Sequence, residues 1–242
     1  MSHSLSIVAD LHCHTVASDH AYSTVTELAS AAAARGLLAV GCTDHGVGIS
    51  DSPHIWHFEN LHILPDHIAG VRVLQGVEAN VMDYTGELDM PDGVLDRLQV
   101  VIASMHQGVL REGTVEEATA AWLAVAENPR VDIIGHSGTP AYRYDYERVI
   151  PAFGRNGKIV EINENTFGAR SSSVENCRTI AALCKKYGVW VMIDSDAHYH
   201  EQVGRFPRCL QMLEELEFPP ELVVNGSRKS FEKFLSHKGL SL

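Results

Sequence analysis

The residues that could do chemistry recur in one kind of place. Seven of the fourteen histidines follow closely on apolar runs. His12, His14 and His20 come after SIVADL, His45 after LLAVGCTD, His106 after LQVVIASM, His136 after VDIIG and His198 after VWVMIDSDA. Glu78, in "GVEAN", and Asp196, in "DSDAH", hold equivalent positions. His12 and His14 are two residues apart, so on an extended chain their imidazoles face the same side. One histidine after a strand usually caps a backbone group or meets water. Histidines after five such runs point instead to metal ligation by nitrogen and oxygen donors, which suits zinc, manganese or iron. A catalytic zinc takes about three protein ligands and keeps a position for water. Nine groups therefore suggest two or three ions, with Glu78 and Asp196 able to bridge or neutralise adjacent cations. Clustered dications clamp the attacking and leaving oxygens of a displacement and bring the pKa of bound water toward ~7. Phosphoryl transfer fits such a centre.

The elements that must position these groups repeat along the chain. Apolar, β-branched runs at 6–12, 37–43, 71–77, 98–104, 131–136, 158–163 and 189–195 predict strands. Amphipathic stretches at 25–35, 115–127, 145–155 and 174–187 predict helices. The polar residues that end the runs recur at about the 30-residue length of one βα unit. Seven such units predict a parallel α/β barrel, closed or nearly so, with an open doubly wound sheet as the alternative. In a barrel the C-terminal strand ends surround the active site, and that is where the histidines fall. The third unit is irregular: 79–93 reads as a hairpin around Thr85-Gly86. Pro219-Pro220 stops one helix, and a short strand near 222–224 with a helix at 227–237 closes the chain.

Composition bounds the partners. The chain has 242 residues, 45% of them hydrophobic and 21% charged, which suits a single α/β domain over 1–242. A formal net charge of −12 disfavours a nucleic-acid binder. Five cysteines with no C-x-x-C pair argue against a disulfide framework. Neither a signal peptide nor an apolar run of spanning length is present. The expectation is a cytoplasmic protein without membrane contact, with self-association left open.

In this order, "DLHCHTVASDHAYST", "TDHG", "GVEAN", "SMH", "GHSG" and "DSDAH" resemble the PHP (polymerase and histidinol phosphatase) family. "SPHIWHFEN" and "EINENTF" further resemble its YcdX-type branch of bacterial phosphatases. The resemblance implies a distorted (β/α)7 barrel. It also implies a trinuclear centre, usually zinc and sometimes manganese or iron. His12, His14, Glu78 and Asp196 would hold the first ion. Glu78 would bridge to a second, completed by His106 and His136, and His20, His45 and His198 would hold the third. The implied reaction is hydrolysis of a small phosphomonoester by a metal-bound hydroxide. Glu78, Asp196, His198 and Arg170 would carry it, Arg170 as a phosphate-binding cation. Arg143 and Arg205 are weaker candidates for that cation. Asp44 would orient a ligand or act as a structural cap, and Asn163 and Asn165 would line the pocket. His54 and His57 flank Trp56 in an expected rim loop, as wall or packing residues.

Three competing readings stand beside this one. An amidohydrolase also begins with H-x-H, but it commonly needs a bridging lysine at a mid-barrel strand end, and no lysine precedes Lys158. A PHP-type nuclease or phosphodiesterase is disfavoured by the acidic charge. A non-catalytic metal-binding protein is disfavoured by the complete set of nine ligands, and an aryl phosphate assay separates it from an enzyme.

Overall fold

The computed structural model describes residues 5–242. Seven parallel strands form one sheet in the order β1 (Ala9–Asp10), β2 (Ala39–Cys42), β4 (Val71–Asn80), β5 (Val100–Ser104), β6 (Ile133–Ile134), β7 (Ile159–Asn163) and β8 (Val191–Asp194). A two-residue strand, β3 (His67–Ile68), pairs antiparallel with β4. The order rules out the doubly wound alternative, because sequential parallel strands are neighbours throughout. The result is a nearly closed, distorted (β/α)7 barrel.

Closure between β8 and β1 is irregular. Near the top, His14 N donates to Ala197 O (2.8 Å), and Cys13 and Ala197 form an isolated parallel bridge. Lower down, the amide of Asn225 fills the seam, donating to Ala9 O (2.8 Å) and Ile193 O (2.6 Å) while its oxygen accepts from Ile193 N (3.1 Å). The strand expected near 222–224 is therefore a seam filler with a single bridge, Val191 to Val223. The first strand is also shorter than the run 6–12 suggests.

The helices form where the sequence places their caps. Thr24 and Thr114 each make a capping box, with Glu27 and Glu117, at the starts of α1 (Val25–Ala34) and α4 (Val115–Glu127). Asp145 caps α5 (Tyr146–Arg155), and Gly188, at φ +66°, closes α6 (Val174–Tyr187) in the left-handed conformation that favours glycine. α7 (Pro207–Glu215) and α8 (Arg228–His237) finish the chain. Residues 79–93 do form a hairpin, with Val81 bridged to Leu88 and a short α3 (Asp92–Leu95) after it. The rim segment expected as a loop contains a helix, α2 (Ile55–Asn60), because the His54 side chain caps it by accepting from Trp56 N (3.2 Å). None of the described helices is long and apolar enough to cross a membrane.

Alternation along the strands explains the polarity of the barrel interior. Leu74, Val100, Ile102, Ile133, Ile159 and Met192 pack together with Phe231 and Leu235 of α8 as a lower plug. Steps of two along the same strands reach Glu78 and Asn80, Ser104 and His106, Glu161 and Asn163, then Asp194 and Asp196. One inward row is thus apolar at the bottom and polar at the top.

Candidate metal centre

Glu78 sits at the middle of the polar end and is 1% exposed. Its Oε2 lies 3.3 Å from His12 Nε2, 3.6 Å from His14 Nε2 and 2.9 Å from His45 Nδ1. Its Oε1 lies 3.3 Å from His106 Nε2 and 2.8 Å from His136 Nε2. Asp196 Oδ1 lies 3.2 Å from His14 Nε2, 3.7 Å from His12 Nε2 and 3.5 Å from His198 Nδ1. His12 and His14 do face one side, as their spacing predicts. His20 stands further out, half exposed, with its ring 4.4 Å from that of His198. All nine sequence-predicted groups therefore meet at the C-terminal mouth.

Local backbone choices aim these side chains. His136 has φ +22° and Asp196 φ +56°, so both are held in a region that non-glycine residues avoid, a strain that clusters at functional sites. The turn turns His136 into the barrel right after Gly135, where a Cβ would come within 2.1 Å of Ser104 Oγ.

The donor set fits metal ions. His12 Nε2, both ring nitrogens of His14, His45 Nδ1, Glu78 Oε2, His136 Nδ1 and His198 Nε2 are buried without a hydrogen-bond partner among the described residues. Such groups are costly unless something else satisfies them. Four overlapping triplets at the mouth place their donor atoms within 4.8 Å of one another: His12–His14–Asp196, His14–His45–His198, His45–Glu78–His106 and His20–His45–Asp51. Burial first, then the neighbouring His45 and His198 rings, lowers the pKa of His14 to about 3. Burial also lowers His136 and His198. All three imidazoles are thus held neutral, with lone pairs available. Burial would protonate Glu78 and Asp196, but the surrounding histidines, and Arg170 beside Asp196, outweigh it and keep both carboxylates ionised. For His12, burial is outweighed by Glu161, Glu78 and Asp196, which raise it.

Three supporting residues escaped the sequence reading. Glu161 Oε1 accepts from His12 Nδ1 (2.6 Å), and its Oε2 accepts from the His136 backbone N–H (2.7 Å). Asn80 Oδ1 accepts from His106 Nδ1 (2.6 Å). Such partners fix the tautomer and orientation of a ligating ring. Both had a signal: Glu161 interrupts the apolar run KIVEIN, and Asn80 lies two residues beyond Glu78 on the same face. Asp51, which pairs with His20 Nδ1, lies in a loop with no periodicity to mark it.

Other sequence candidates divide. Arg170 lines the cavity; its Nη2 donates to Asp196 Oδ2 (2.5 Å) and Asn163 Oδ1 (3.0 Å), and its Nε has no partner among the described residues. Asn165 lines the same cavity, whereas Arg143 and Arg205 do not. Asp44 touches none of the nine groups through its carboxylate. It accepts from Thr15 N (2.7 Å), Thr15 Oγ1 (2.7 Å) and Ser18 Oγ (2.8 Å), pinning the loop after β1. His57 Nε2 lies 3.1 Å from the same carboxylate, so it tethers α2 to that loop.

The PHP domain signature matches residues 10–165. The chain belongs to the PHP family. A protein of Acetivibrio thermocellus named "probable phosphatase" is 45% identical over 97% of both chains. One of Clostridium novyi, also named a probable phosphatase, is 44% identical over 96% of both. The solved histidinol phosphate phosphatase of Lactococcus lactis, complexed with zinc, L-histidinol and phosphate, shares the fold. Its TM-score is 0.58 at 15% identity, covering 86% of this PHP protein and 91% of that chain.

Proposed function

We propose that this PHP protein is a metal-dependent phosphatase that cleaves small phosphomonoesters at a centre of three divalent ions, zinc in the first instance. The observation that carries the proposal is the division of Glu78: one carboxylate oxygen faces three imidazoles and the other faces two more. A carboxylate so placed can join two ions, each completed by its own histidines. His12, His14 and Asp196 would serve the first ion with Glu78, and His106 and His136 the second. His20, His45 and His198 would serve a third. The names of the full-length relatives and the zinc and phosphate of the Lactococcus enzyme support the same reading.

Ions held there would polarise the phosphoryl oxygens, acidify the attacking water and offset substrate charge. The chain's own residues do the rest. Glu161 and Asn80 hold the His12 and His106 rings in the tautomer that turns Nε2 inward. The His198 Nδ1–H donates to the Asp196 carbonyl (3.0 Å), which leaves Nε2 as its free basic atom. Arg170, which lines the cavity and whose Nε has no partner among the described residues, would bind the outer phosphate oxygens. A cavity of ≈ 380 Å³ suits a small substrate.

Metal analysis of the purified protein, paired with hydrolysis of p-nitrophenyl phosphate and its bis-ester, tests this. Three ions per chain and activity lost to chelation and restored by zinc or manganese are expected, with the monoester preferred. A fully active protein holding one ion would end the trinuclear reading. A metal-loaded protein that cleaves only the bis-ester would replace phosphatase with phosphodiesterase.

A further inference from the structure

The other end of the barrel holds a second cavity, also ≈ 380 Å³. It is bounded by the turn before β6, the start of β7, Trp190 just ahead of β8, and α8. Ile159 lines it, and Asn163, four residues up the same strand, reaches the metal centre about 13 Å away. The cavity therefore lies apart from the proposed phosphatase site.

Its lining is chemically distinct from the rest of the surface. The chain has six lysines and a net charge of −12, yet three of those lysines, Lys158, Lys233 and Lys238, line this one cavity. Asp132 and Glu221 are its carboxylates. Asp132 is already committed, to Lys238 Nζ (2.6 Å) and Val101 N (2.9 Å). Lys158 is not matched in that way. Its Nζ donates to two neutral carbonyls, Asn128 O (2.5 Å) and Val131 O (2.8 Å), and its third donor has no partner among the described residues. Burial pulls its pKa down, with Asp132 only partly opposing, as expected of an ammonium short of negative charge.

The apolar part of the lining is aromatic. Trp190 is 40% exposed, and Lys233 Nζ lies 5.3 Å from its ring centroid. Phe234 lies on α8 beside it. A half-exposed indole, a second ring and under-neutralised ammonium groups in one concavity are complementary to a ligand with a flat face and an anionic end. We propose that this cavity binds a small planar aromatic anion, its ring against Trp190 and Phe234 and its charge directed to Lys158 and Lys233. The volume, near the lower end for ligand pockets, limits it to one or two rings. Ammonium groups accept a carboxylate or a phosphate equally as point charges, so either source shares the chemistry.

The test is titration of the metal-loaded, ¹⁵N-labelled protein while following the three indole signals, that of Trp190 being assigned from Trp190→Phe. The probes are naphthalene-2-carboxylate, the non-hydrolysable phenylphosphonate, and neutral naphthalene-2-methanol. At least one anion should shift the Trp190 signal saturably, and naphthalene-2-methanol should bind at least about tenfold more weakly than that anion. The anion that binds tighter names the source. Lys233→Met, on an exposed stretch of α8, should weaken binding by about tenfold and leave p-nitrophenyl phosphate hydrolysis unchanged. Lys158→Met should do the same, but it also frees two carbonyls, so Lys233→Met decides the matter. No saturable Trp190 shift with either anion, equal binding of the alcohol, or unchanged affinity in Lys233→Met would overturn the proposal.

Discussion

Most buried polar groups at the lower end and seam of the barrel complete their hydrogen bonds within the chain, whereas many of those at its upper mouth do not. At the seam, Asp10 accepts from Ser195 N (3.0 Å), Ser195 Oγ (2.6 Å) and Gly204 N (2.8 Å), and Asn225 satisfies both neighbouring strands. Near the bottom Asp132 holds Lys238 and Val101 N. At the mouth, His12 Nε2, His14 Nε2 and His45 Nδ1 converge on Glu78 and Asp196 without completing hydrogen bonds, and His14 Nδ1, His136 Nδ1 and His198 Nε2 are likewise buried without a partner among the described residues. An unpaired buried polar group costs roughly 1–3 kcal/mol, so a cluster of them destabilises the fold unless something outside the chain satisfies it. The difference separates groups that hold the fold from groups that await a partner from outside the chain.

Breaking the mouth should have the largest consequence. Glu78→Gln removes the charge on which five imidazoles converge. Hydrolysis should fall by more than about 100-fold, beyond what loss of a supporting residue costs, and metal content should drop by more than one ion per chain. Near-normal turnover with full metal would make Glu78 peripheral. Glu161→Ala is the next step down. It releases the His12 ring and the His136 backbone together, so metal affinity should fall by about 10- to 100-fold. Added metal should restore much of the activity, whereas it should not rescue Glu78→Gln. Competition with a fluorescent chelator reads this directly.

Arg170→Ala separates substrate binding from metal assembly. Loss of one charge-assisted contact should lower kcat/KM by about 10- to 100-fold with metal content unchanged. The structure adds a complication, because Arg170 also neutralises Asp196. Arg170→Lys, which keeps a positive charge beside Asp196 but lacks the two-pronged donor set, should therefore recover little of the lost substrate affinity. Wild-type kcat/KM in Arg170→Ala would place that arginine outside the site.

How much of this was legible in the sequence depends on range. The nine convergent groups announced themselves because each follows an apolar run, and the barrel because the runs recur at one interval. Glu161 was written in the same code, a charge inside a strand, but it looks like any interruption until the fold turns it toward His12. The seam was not legible. Asn225 joins Ala9 and Ile193 across more than 200 and more than 30 residues respectively, and nothing in "VVNGS" marks an amide that completes a barrel. The cap on α2 was missed for a similar reason: His54 is an unusual N-cap, and the preceding Pro53 reads as loop.

The paired end should answer in stability and not in turnover. Asn225→Ala strands two carbonyls and an amide at the seam and should cost about 2–4 kcal/mol, or roughly 5–15 °C in Tm for a domain of this size. Activity per folded molecule should be retained; a loss of metal would instead tie the seam to the centre.

Asp132→Asn is expected to have the smallest effect, and its sign is specific. Burial raises the Asp132 pKa above its usual 3.8, and Lys238 opposes that only in part. A carboxyl whose pKa is higher folded than unfolded contributes stability that is complete below the unfolded value. That contribution is lost as pH rises through the folded value, because the folded state then holds the extra proton. Asparagine can still accept from Val101 N but does not titrate. The wild type should therefore lose stability relative to Asp132→Asn as pH rises above about 4, with the ion pair to partly exposed Lys238 keeping the net difference at pH 7 within about 1 kcal/mol. Urea unfolding of both proteins at pH 4 and pH 7 measures it. A wild type that gains on the variant as pH rises would mean that the Lys238 pair outweighs burial, and that the lower end is held by charge as well as by hydrogen bonds.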